Sequence, residues 1–182
     1  MTSYILLLRG INVGKANRLP MATLKAVLEQ LGTQQVRTLL NSGNAVFSLP
    51  ASPGCDLLGD QIAAALLAET GLNLHCIVKT ATDLQAAAAA VDTEVMTGSS
   101  EPDPSRFLLG FCRDPQTLTQ FASTAAPLPA TGSKLQIGEY ALYLYCTDGI
   151  NQCPIAKLLV SKKWRLITGR NLATVQKILA ML

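Results

Sequence analysis

The chain has 182 residues, 49% of them apolar and 15% charged, which excludes a disordered protein and supplies material for one large core or two small ones. Fifteen Lys and Arg stand against twelve Asp and Glu, and the resulting net charge of +3 is too slight by itself to announce a polyanion partner. No run reaches the ~18 consecutive apolar residues of a membrane span, and residues 1–9 lack a basic start and a cleavage site, so neither a membrane partner nor a secretory leader is expected. Cys55, Cys76, Cys112, Cys146 and Cys153 are odd in number, widely spaced and without a C-x-x-C pair. That usage predicts no metal, no cofactor and no disulfide framework, and it fits reduced thiols in the cytoplasm.

In chain order, Tyr4–Ile11 is a continuous apolar run and is read as a central strand. A loop follows, and a helix starts at Leu19-Pro20-Met21, with Met21, Leu24, Val27, Leu28 and Leu31 on its apolar face and Gly32 ending it. Val36–Leu40 and Ala45–Leu49 alternate as strands around Asn41-Ser42-Gly43-Asn44, residues that tolerate the positive φ of a tight hairpin. A helix over Cys55–Thr70, a strand over Leu74–Lys79 and an alanine-rich helix from Thr82-Asp83 complete the first half. Residues 92–105, rich in Gly, Ser and Pro, are read as a linker. The order then recurs: strand Phe107–Cys112, helix Gln116–Ser123, hairpin strands Lys134–Ile137 and Ala141–Cys146, helix Ile155–Lys162, strand Trp164–Ile167 and helix Asn171–Leu182.

β-α-β-β-α-β followed by a helix, written twice, is an α+β architecture of tandem duplicated ferredoxin-like units with largely antiparallel sheets. The expected division is an N-terminal half over residues 1–91, the linker over 92–105 and a C-terminal half over 106–182.

Residues that could carry chemistry cluster at junctions between elements. Arg9-Gly10-Ile11-Asn12-Val13-Gly14-Lys15 lies between strand and helix but fails the phosphate-loop pattern, since three residues separate the glycines and Ala16 replaces Ser/Thr. The loop is still long for such a connection. It carries Asn12, Lys15, Asn17 and Arg18 and ends at a helix N-terminus, whose N–H groups favour an anion. In a ferredoxin-like unit the first strand ends beside the hairpin, which brings Arg9 and Asn12 toward Asn41, Ser42 and Asn44. These donors suit phosphate or carboxylate; the alternative is a solvated loop and a tight turn. Lys157 sits on a helix near Lys162 and Lys163. Arg170 and Asn171 precede the last helix, Asn171 in an N-cap position. The sole histidine, His75, has no partner of recognisable spacing, so His-based acid–base work loses support.

Leu7-Leu8-Arg9-Gly10-Ile11-Asn12-Val13-Gly14 with Pro20-Met21, Val36-Arg37-Thr38 into Ser42-Gly43-Asn44-Ala45-Val46-Phe47, Ala156-Lys157-Leu158, and Thr168-Gly169-Arg170-Asn171 with Thr174-Val175 together resemble the bacterial family known as domain of unknown function 1697. The resemblance implies a bacterial cytoplasmic protein of duplicated architecture and carries no activity with it. Lys15 stands where that family usually has a second glycine, Ala156 where it has serine, and Gly169, Leu172 and Ala173 interrupt its Thr-Arg-Asn-Trp-Asn pattern. A role resting on the C-terminal motif is therefore weaker than one resting on the N-terminal motif.

Three functions follow as expectations, none of which decides whether the protein is an enzyme. The first is a small anionic or phosphate-bearing ligand at Arg9, Asn12, Lys15, Asn41, Ser42 and Asn44, joined by Lys157, Arg170 and Asn171. The second is nucleic acid, which would need exposed aromatics such as Tyr4, Phe47, Tyr140, Tyr143 or Tyr145 on a sheet. The third is a structural role as a homo-oligomer.

Overall fold

The computed structural model describes residues 1–13, 17–51, 53–98, 102–130 and 132–182. The chain divides into two compact units, Met1–Thr82 with Ile178–Leu182, and Asp83–Lys177.

The first unit begins with β1 (Thr2–Leu8), α1 (Met21–Gln30), β2 (Gln34–Leu39), β3 (Asn44–Leu49), α2 (Cys55–Thr70) and β4 (Cys76–Thr80), with α3 (Ala81–Ala89) following directly. The sheet order is β2-β3-β1-β4, antiparallel throughout, as the ferredoxin-like reading requires. Strand alternation sends Tyr4, Leu6, Leu8, Ala45, Phe47, Cys76 and Val78 into one core with Leu24, Val27 and Leu28 of α1 and Leu58, Ile62 and Leu66 of α2. Each Leu, Ile, Val and Phe among them contributes about 1.5–3 kcal/mol on burial. Ile5, Leu7, Val46 and Ile77, on the opposite face, are buried as well, which accounts for the unbroken apolar reading of β1. That strand stops at Leu8 rather than Ile11, because Gly10 (φ +71) and Asn12 (φ +54) turn the chain away from the sheet.

The second unit repeats the plan with β5 (Phe107–Phe111), α5 (Pro115–Ala125), β6 (Lys134–Ile137), β7 (Leu142–Tyr145), α6 (Pro154–Val160) and β8 (Thr168–Asn171), and α7 (Leu172–Leu179) begins in it, its last two residues counting with the first unit. Its sheet order, β6-β7-β5-β8, matches the first unit position for position. Registers match too: Lys79 lies opposite Ile5 and Arg170 opposite Leu109, each next to last in its strand.

Within residues 92–105 the described segment is not featureless. It carries α4 (Thr93–Thr97), whose Val95 N–H is accepted by Asp92, and a 3₁₀ turn over Pro104–Arg106 capped by Asp103, and it lies inside the second unit.

The last strand departs most from expectation. Trp164–Ile167 has strand-like composition, yet the strand is Thr168–Asn171, and Lys162–Trp164 form a 3₁₀ turn. Packing overrides propensity here. The Trp164 ring meets Phe121 edge-on with centroids 5.1 Å apart, an arrangement worth about 0.5–1.5 kcal/mol beyond area burial, and it draws that segment into the core.

Candidate functional site

The site grows from the first β-to-α connection. The Leu8 N–H donates to the Gly43 carbonyl (2.8 Å), tying the end of β1 to the hairpin bend. Gly43 has φ +77, and a Cβ there would lie 2.6 Å from the Leu8 Cβ and 2.8 Å from the Ile11 Cδ1. Glycine is required at this place by both conformation and space.

Asn12 then clips the loop. Its Nδ2 donates to the carbonyls of Leu19 (3.0 Å) and Asn41 (2.8 Å), while its Oδ1 accepts from the Leu19 N–H (2.9 Å). Its backbone N–H reaches the Asn17 carbonyl, and the Asn17 side chain returns to the Gly10 carbonyl. One side chain thus joins the loop, the approach to α1 and the hairpin. Asn44 does the same within the hairpin. It is buried, and its Nδ2 donates to the Leu39 carbonyl and the Ser42 hydroxyl.

These clips frame a cleft of about 300 Å³ lined by Asn12, Arg18, Leu19, Pro20 and Asn41. Arg18 is exposed and has no ion pair among the described residues. Pro20 is the N-cap of α1, and no side chain caps that helix. Pro20 also lines the cleft, so the uncapped end of α1, with its partial positive charge, begins at the cleft's edge. The Asn41 side chain is exposed and its amide has no hydrogen bond among the described residues. The cleft thus presents a guanidinium, an amide and a helix N-terminus, a set of donors suited to an anion.

The structure sorts the sequence-derived residues into distinct roles. Asn12 and Asn41 line the cleft, but both Asn12 amide hydrogens are spent on backbone carbonyls, so its part is to shape the cleft. Ser42 and Asn44 stand at the adjoining bend. Arg9 is half-buried; burial lowers its pKa, and it is engaged within the protein rather than lining the cleft. Lys15 lies outside the described residues. Lys157, Arg170 and Asn171 belong to the second unit and do not line this cleft.

Arg170 is 8% exposed on β8, donates to the Thr168 hydroxyl (2.9 Å) and the Gly169 carbonyl (2.8 Å), and has its pKa lowered to about 10 by desolvation. Asn171 is an N-cap, its Oδ1 accepting from the Thr174 N–H (2.8 Å). Arg18, noted in the loop but not among the expected ligand residues, lines the cleft. Its signal was position: a cation two residues before a helix-opening proline.

Of the aromatic residues named for a nucleic-acid platform, Tyr4, Phe47 and Tyr143 are buried, and Tyr140 and Tyr145 are half-buried. Tyr4 and Phe47 are in the first core, stacked on each other at 5.9 Å, and Tyr143 is 2% exposed. Among the described residues no cluster of three His, Cys, Asp or Glu could hold a metal, and no helix is long and apolar enough to cross a membrane. None of the five cysteines forms a disulfide; burial, with a hydrogen bond to Cys153 adding, pushes the Cys146 thiol well above its ordinary value.

Compared with known proteins, residues 1–143 match the family model described as "Protein of unknown function (DUF1697)". A conserved bacterial protein from Streptococcus pneumoniae has a similar solved structure, at 25% identity and a TM-score of 0.80, over 99% of this chain and 98% of that one. No curated protein matches the chain.

Proposed function

For a chain that belongs to the family of proteins of unknown function DUF1697, we propose that the cleft at the α1 N-terminus binds a small anionic, phosphate-bearing ligand. The observation that carries this reading is the convergence of Arg18, the Asn41 amide and an uncapped ten-residue helix on one cleft. Its volume of about 300 Å³ is at the low end for ligand pockets, which fits a small metabolite better than a dinucleotide.

The second unit supplies an internal contrast. Its equivalent helix, α5, begins after a short connection, and the Asp114 carboxylate already sits on the helix end, accepting from the Gln116 N–H at 2.9 Å. An anion built into the chain occupies there the place proposed for an external anion in the first unit. The described cleft residues include no nucleophile and no general base, so the reading is one of binding rather than turnover. Free thiols and a bacterial structural neighbour support a bacterial, cytoplasmic setting.

Thermal-shift and calorimetric titrations with inorganic phosphate, acetyl phosphate and nucleoside monophosphates test it. Phosphate-bearing compounds should raise the melting temperature where chloride at equal ionic strength does not. Arg18→Ala should weaken binding about 10- to 100-fold, the range of a lost charge-assisted hydrogen bond, with the unliganded melting temperature unchanged. Equal binding by the variant and the parent, or no phosphate-dependent shift at all, refutes the reading.

A further inference from the structure

The chain segregates its charge: residues 149–182 hold six Lys and Arg and no Asp or Glu. Four of the six fall in one short stretch, the crossover of α6 and the 3₁₀ turn that follows it. Ile155, Ala156, Leu159, Trp164 and Ile167 point inward and are buried in the second core. Lys157, Val160, Lys162, Lys163, Arg165 and Leu166 are exposed, Val160 at 71% and Leu166 at 47%. None of the four cations has an ion pair among the described residues. The equivalent crossover of the first unit, α2, carries Asp56, Asp60 and Glu69 and no Lys or Arg. The duplicated fold therefore does not itself demand a basic face here.

We propose that this outward face of residues 154–167 docks on the surface of an anionic lipid bilayer. Unpaired cations beside exposed aliphatic side chains match both layers of such a surface: headgroup phosphates for the ammonium and guanidinium groups, and the acyl boundary for Val160 and Leu166. A nucleic acid fits less well. It would leave both aliphatic side chains in water, and the ring that could stack on a base, Trp164, is buried with the Lys163 ammonium 5.4 Å from its centroid. The sequence reading expected no membrane partner because no segment can span. A segment that lies on the surface is a different case, and it uses a face unrelated to the anion cleft.

Flotation of the full-length protein with phosphatidylcholine vesicles, and with phosphatidylcholine–phosphatidylglycerol vesicles, tests the proposal. Binding should appear only with the anionic vesicles and fall as salt is raised. Lys162→Gln with Lys163→Gln should weaken it about 25-fold, or about 5-fold per removed cation. Val160→Ser with Leu166→Ser should weaken it while leaving the melting temperature and circular dichroism spectrum unchanged, since both side chains are exposed. Three results overturn the proposal: no binding to anionic vesicles at low salt, equal binding to neutral vesicles, or tighter binding to duplex RNA that is insensitive to the Val160/Leu166 change.

Discussion

The two β-to-α junctions are built to one plan and finished in opposite ways. After β1 the chain runs through an extended loop clipped by Asn12, and α1 starts at Pro20 without a side-chain cap beside Arg18. After β5 it takes a short turn, and Asp114 caps α5 at once. The helix lengths and sheet orders are alike, so the difference is local chemistry rather than fold. A carboxylate at a helix N-terminus closes that end; a cation and an uncapped end leave it open to an anion. The α6 and α2 crossovers teach the same lesson, with one topology carrying opposite charge.

Substitutions can break this comparison or sharpen it. Gly43→Ala should have the largest effect, about 3 kcal/mol lost in urea unfolding, because positive φ and overpacking against Leu8 and Ile11 act together. Gly10→Ala, with the same hand of φ (+71) but open space around it, should cost only about 1 kcal/mol. Equal costs for the two glycines would mean that close packing at the hairpin is unimportant.

Asn12→Ala comes next, at about 2 kcal/mol, since it orphans carbonyls on two sides of the cleft. Phosphate binding should disappear with it even where Arg18 is intact. Retained binding would show that the clip does not shape the cleft.

Asp114→Ala should cost about 1 kcal/mol as a lost N-cap. Added phosphate should recover part of that loss in a thermal melt if helix ends at this corner accept anions. A melt indifferent to phosphate would separate the two junctions more sharply than proposed here.

The smallest effect is expected at Tyr143, whose buried hydroxyl has no hydrogen-bond partner among the described residues. Tyr143→Phe should be neutral or stabilising by up to about 1 kcal/mol. Burial, with Tyr140 adding, raises the phenol above its ordinary pKa of 10.0. The unfolded chain therefore releases this proton first, and stability should fall as pH climbs above 10 toward the folded-state value. The Phe variant should show a shallower alkaline decline in urea midpoint, and an unchanged slope would contradict the burial of that hydroxyl.

Much of the architecture was legible in the chain. Helix α2 and strand β6 occupy the residues their periodicity marks, and the hairpin sits at the Asn-Ser-Gly-Asn bend. Of the residues expected to gather at this corner, Asn12 and Asn41 line a cleft together with Arg18, while Arg9 is half-buried and does not line it. A loop without periodicity carries no signal for which of its side chains turns inward. β8 was misplaced by four residues because Trp164 and its neighbours have the composition of a strand and the packing of a core plug.

The sequence by itself determined the order of elements, the duplication, the need for glycine at the hairpin and the Asn171 cap. All of these arise from short-range forces: hydrophobic period, allowed φ, and hydrogen bonds to residues a few positions away. Only the tertiary structure decided that Asn12 would be spent on Leu19 and Asn41, that Tyr143 would be buried, and that the cations between Lys157 and Arg165 would be exposed along with Val160. Those outcomes depend on which backbone carbonyls and which apolar surfaces come together when distant segments pack, and no local pattern encodes that.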